Sequence, residues 1–73
     1  MPLSMVAAGK TVKVVAIDAG HSLNARLASM GLLPHSILRV IRNESAGQLI
    51  VAIKNSKIVL GRGASAKIIV AET

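Results

Sequence analysis

Residues 10–17 read Lys-Thr-Val-Lys-Val-Val-Ala-Ile, a β-branched run after Gly9 that predicts a first strand. Asp18-Ala19-Gly20 is a turn. The period then changes. Leu23, Leu27 and Met30 fall at i, i+4 and i+7, which predicts a helix over residues 22–30 with Ser22 as its N-cap. Gly31 supplies a left-handed position at the helix end, and Pro34 bars continuation. Strand character returns over residues 37–42. After a loop at residues 44–47 it resumes over 48–54, where Leu49, Val51 and Ile53 share one face. Asn55-Ser56 links this run to another at 57–60, a tight hairpin that would bring Lys54 and Lys57 together. Residues 61–65 form a bend or a single helical turn, and residues 66–70 a last strand. Five short strands with one helix inserted after the first predict a mainly β fold, a small closed or nearly closed barrel. Residues 1–73 read as a single domain.

Composition narrows this. Of 73 residues, 52% are hydrophobic and none is aromatic, so the core is aliphatic. There is no cysteine, which excludes disulfides and cysteine-ligated zinc. The longest aliphatic runs are far short of the ~20 residues that cross a bilayer, and the apolar start lacks a basic leader; the expected location is cytoplasmic.

Nine cations against three acids leave a net charge of +6. That favours an acidic partner: nucleic acid, an anionic membrane surface or an acidic protein face. No two cations are adjacent. Lys10 and Lys13, like Arg39 and Arg42, are three apart, which in a regular strand puts the members of a pair on opposite faces. A basic nucleic-acid-binding barrel is the alternative reading, but base stacking needs aromatic rings that this chain lacks.

Catalytic patterns fail on context. Gly9-Lys10-Thr11 would need Gly where Ser4 stands, and a strand follows it instead of a helix. Gly61-x-Gly63-x-x-Ala66 leaves only seven residues for the rest of a dinucleotide unit. No nucleophile is paired with a base, and a core this thin leaves little room for a pocket of ~300 Å³. The chain reads as a non-enzyme. Asp18, His21 and His35 are the metal-ligand candidates, too few and too scattered for a tight site.

The stretch Arg26-Leu27-Ala28-Ser29-Met30-Gly31-Leu32-Leu33-Pro34 resembles the RLxxxGLxPG signature of the FeoA family, small proteins of bacterial ferrous iron transport. Pro2-Leu3-Ser4, Ala8-Gly9, the run after Gly47 and the last two strands agree with that family, so the resemblance covers about residues 2–71. It departs at His35, where a glycine is usual, at Leu49 in place of a proline, and at Ser65 in place of an alanine. The resemblance implies a five-stranded Src-homology-3-like barrel without catalytic residues or a resident cofactor. It also implies an accessory role beside an FeoB-type transporter, the membrane protein with a GTP-binding domain, at the inner face of the membrane. Weak Fe²⁺ binding would fall to Asp18, His21 and His35. Arg26, Leu27, Gly31, Leu32, Leu33 and Pro34 are the candidate partner-binding residues, with Leu32 or Leu33 alternatively plugging one barrel end.

Overall fold

The computed structural model describes residues 1–44 and 47–73; the loop reading at Ser45 and Ala46 falls outside them. A short 3-10 turn, Leu3–Met5, precedes β1 (Thr11–Ile17), α1 (His21–Ser29), β2 (Ile37–Asn43), β3 (Leu49–Ile53), β4 (Ser56–Leu60), α2 (Arg62–Ala66) and β5 (Ile68–Glu72). The strands form one antiparallel sheet in the order β4-β3-β2-β1-β5. Among the described residues no pairing joins β4 to β5, so the sheet is open where a closed barrel would seal it.

Alternation builds the core. Val12 and Val14 of β1, Leu38 and Val40 of β2, Leu49, Val51 and Ile53 of β3, Ile58 and Leu60 of β4, and Ile68 and Val70 of β5 all point inward and are buried. Each such side chain contributes roughly 1.5–3 kcal/mol on leaving water. Leu3 and Val6 of the N-terminal segment, Leu27 of α1 and Leu32 of its exit complete the same buried cluster.

The helix begins one residue before the expected start, and Ser22 is not its cap. Gly20 holds the cap position in an extended conformation, and its carbonyl accepts the Asn24 N–H at 3.0 Å. The Asn24 amide reaches back to the Ala19 carbonyl at 2.9 Å, tying the helix to the turn before it. The hairpin turn is Lys54-Asn55, one residue earlier than expected, with Lys54 at φ 54°. Lys57 therefore faces Ala52, and the anticipated Lys54–Lys57 opposition does not arise. β5 starts two residues late because Ala66 completes α2.

Two bulges matter more. One interrupts the β1–β5 ladder between Val14 and Ala16, the other the β2–β3 ladder between Val40 and Arg42. The second gives β2 an extra residue, so Ile41 and Arg42 are both exposed. Arg42 pairs with Ile50, two residues beyond the Ala52 that pairs with Arg39. The odd-spacing expectation thus fails here: both arginines lie on the outer face.

His35 adopts φ 75°, so this turn keeps the left-handed backbone and sets an L-residue in it. The His35 N–H donates to the Val14 carbonyl at 2.8 Å, fixing that geometry. A left-handed L-residue costs about 1–2 kcal/mol, and glycine forfeits roughly 0.5–1 kcal/mol of that gain through its freer unfolded chain. His35→Gly is expected to raise the melting temperature by a few degrees, about 4–8 °C for a full 1 kcal/mol. A fall in a thermal unfolding scan would instead show a stabilising role for the imidazole.

Candidate functional site

The segment leaving α1 is built as a Schellman cap. Gly31, at φ 91°, donates its N–H to the Ala28 carbonyl at 3.0 Å, and the Leu32 N–H donates to the Leu27 carbonyl at 2.9 Å. That six-to-one bond calls for an apolar pair at its two ends. Leu27 and Leu32 are that pair, both essentially inaccessible. The spacing Leu-x-x-x-Gly-Leu is therefore a helix-termination device with its hydrophobic contact turned into the core.

The next residue has to turn outward. Leu33 is 49% exposed. Ser36 pins the loop: its hydroxyl accepts the Leu33 N–H at 3.2 Å and donates to the Gly31 carbonyl at 3.0 Å. Opposite stands the β3–β4 hairpin. Between them lies a groove of about 240 Å³, lined by Met30, Gly31, Leu33, Ser36, Ile37, Ile53, Lys54 and Ser56. Met30, Leu33, Ile37 and Ile53 give it an aliphatic part, Ser36 and Ser56 a polar one, and Lys54 is the one charged lining residue.

Of the expected partner-binding residues, Gly31 and Leu33 line this groove. Leu27 and Leu32 are core and present no surface. Arg26 and Pro34 are exposed but outside it. Arg26 sits in the last turn of α1, where a cation complements the carbonyl end of the helix. Sequence reasoning missed Ile37, Ile53 and Lys54. The signal for Ile37 was present: in Ile37-Leu38-Arg39-Val40 an alternating strand that buries Leu38 must expose Ile37.

Asp18, His21 and His35 are all exposed, and among the described residues no three metal-ligating side chains are grouped to hold an ion. A second concavity, about 350 Å³, is cut into the outer surface of the sheet beside Gly9, Arg39, Val40, Ile41 and Ala52. It exceeds the pocket size that a thin core suggests, because it lies outside that core.

At the far end Arg62 organises a polar cluster. Its Nη1 donates to Asn43 Oδ1 at 2.6 Å and to the Glu44 carbonyl at 2.7 Å, and its Nη2 donates to the Ser4 carbonyl at 3.0 Å. Asn43 Nδ2 donates to the Ser4 and Val6 carbonyls at 3.0 and 2.7 Å. The cluster ties β2, α2 and the N-terminal segment together.

Fold and groove together define a small basic domain of the Src-homology-3-like kind. The model of the FeoA domain family matches residues 1–72, and the chain belongs to that family. It is 45% identical over 69 residues to a protein of Methanocaldococcus jannaschii named as a candidate Fe(2+) transport protein A, covering 94% of this chain and 83% of the relative. A crystal structure of an iron uptake regulatory protein, FeoA, superposes with a TM-score of 0.94 at 29% identity, over 100% of this chain and 97% of that one. A manganese-dependent transcriptional repressor matches at a TM-score of 0.91 and 32% identity, over 100% of this chain but 41% of the repressor.

Proposed function

We propose that the protein is a non-enzymatic accessory factor of ferrous iron uptake. It works at the cytoplasmic face of the membrane by binding an FeoB-type transporter through the groove between the α1 exit and the β3–β4 hairpin. Membership of the FeoA family and the Fe(2+) transport relative support the process. The observation that carries the surface is the exposed Leu33, held beside Ile37 and Met30 by the Ser36 staple. A groove of this size, part aliphatic and part polar with one cation, suits a partner segment that offers an aliphatic side chain next to a carboxylate. Ferrous iron is the transporter's cargo here; any contact with Asp18, His21 or His35 is weak and transient.

An amide NMR titration of the labelled protein with the cytoplasmic part of an FeoB-type transporter tests this. Shifts are expected at residues 30–37 and 53–56. Leu33→Asp is expected to weaken binding at least tenfold with the fold intact, since desolvated anchors carry most of an interface's energy. Unchanged binding by Leu33→Asp, or shifts confined to other surfaces, would refute the groove assignment.

A further inference from the structure

The outward positions of β1–β4 carry Lys13, Arg39, Arg42 and Lys57 and no carboxylate. Arg39, Ala52 and Lys57 are successive partners in one row across β2, β3 and β4, which sets the two cations roughly 10 Å apart. Lys13 is two positions beyond Thr11, the β1 partner of Arg39. Arg42 joins them only because the bulge after Val40 turns it outward. Its ion pair with Glu44, 3.4 Å between exposed groups, is worth little in water and leaves it available. Ile41, 41% exposed, stands between Arg39 and Arg42 along β2, and Val59, 54% exposed, follows Lys57 on β4 at the end of the row that Arg42 begins. The concavity beside Gly9 and Ile41 places Arg39 at the rim of a space that a phosphate headgroup fits.

We propose that this outer sheet face docks the protein on an anionic lipid bilayer. The cations meet headgroup phosphates, and the aliphatic side chains between them reach the upper acyl boundary. Aliphatic and cationic side chains alternating on one face suit that boundary. A nucleic-acid backbone would answer the charge and leave the aliphatics wet. The face meets the transporter groove at Ile37, the cross-strand partner of Lys13, but Arg39 and Lys57 lie outside that groove, and vesicles without a transporter test the lipid reading by itself.

Flotation of the pure protein with vesicles tests it without any protein partner. Binding is expected to vesicles of phosphatidylcholine with 30% phosphatidylglycerol at low salt, and not to phosphatidylcholine alone. Each cation near such a surface is worth about fivefold in affinity, so Arg39→Gln with Lys57→Gln is expected to lower binding about 25-fold. Arg26→Gln with Lys67→Gln removes the same charge away from the strands and is expected to stay within threefold of the parent. Three results would overturn the proposal: no binding to the anionic vesicles, equal loss in both double variants, or displacement from the vesicles by a single-stranded oligonucleotide that binds more tightly.

Discussion

Leu32→Asp is expected to abolish the folded state at 25 °C, whereas Leu33→Asp, one residue on, leaves a dispersed amide spectrum and a cooperative melt. Leu32 has no accessible surface, and Leu33 is half exposed. Truncating a buried leucine costs about 2–5 kcal/mol before any charge is considered. A carboxylate there adds a desolvation penalty of several kcal/mol, whether it stays ionised or takes up a proton. A chain of 73 residues has about 4–11 kcal/mol of stability in all. The sum of the penalties matches or exceeds that total. Native-like dispersion in Leu32→Asp would show that the Schellman pair is not a core contact.

The second large effect belongs to Arg62. Arg62→Ala removes three donated bonds at once: Asn43 Oδ1 and the Glu44 carbonyl lose the guanidinium, and the Ser4 carbonyl keeps only the bond from Asn43 Nδ2. Bonds from charged groups are worth about 1.5–3 kcal/mol, discounted because this site is only part-buried, so a total near 3 kcal/mol is expected. In a domain of this size that lowers the melting temperature by more than about 10 °C. Arg62→Lys is expected to recover less than half, since one ammonium cannot span the positions that the two guanidinium nitrogens serve. Thermal unfolding of the two variants decides it; a drop under about 3 °C in Arg62→Ala would mean that solvent replaces the guanidinium without loss.

These two residues also mark what the sequence could say. Strand existence and the helix were legible because Leu49-x-Val51-x-Ile53 and Leu23, Leu27, Met30 carry their periods openly. Boundaries slipped by one or two residues wherever a backbone bond decided them, as with the Gly20 cap. The α1 exit was legible as a pattern, but which leucine plugs the core was not. That depends on the six-to-one bond at Gly31, which turns Leu32 in and Leu33 out. Arg62 was illegible because its partners Ser4, Asn43 and Glu44 lie 58, 19 and 18 residues away. The basic face was hidden for a different reason. Regular alternation separates Arg39 from Arg42, and only the bulge between Val40 and Arg42 reunites them.

The order β4-β3-β2-β1-β5 also sets how the chain reaches this state. β3 and β4 are joined by a two-residue turn, and such hairpins form in roughly 1–10 μs. β5 pairs with β1, and Val12 meets Glu72 sixty positions later (72 − 12). That ladder must repay the entropy of closing most of the chain into one loop, which places folding toward the millisecond range of non-local β topologies. On a ribosome the meander β2-β3-β4 can assemble as it emerges, while one edge of β1 waits without a partner. Val12 and Val14 stay half-covered until Ile68 and Val70 arrive, and a nascent chain stalled before β5 presents that edge to whatever strand it meets first.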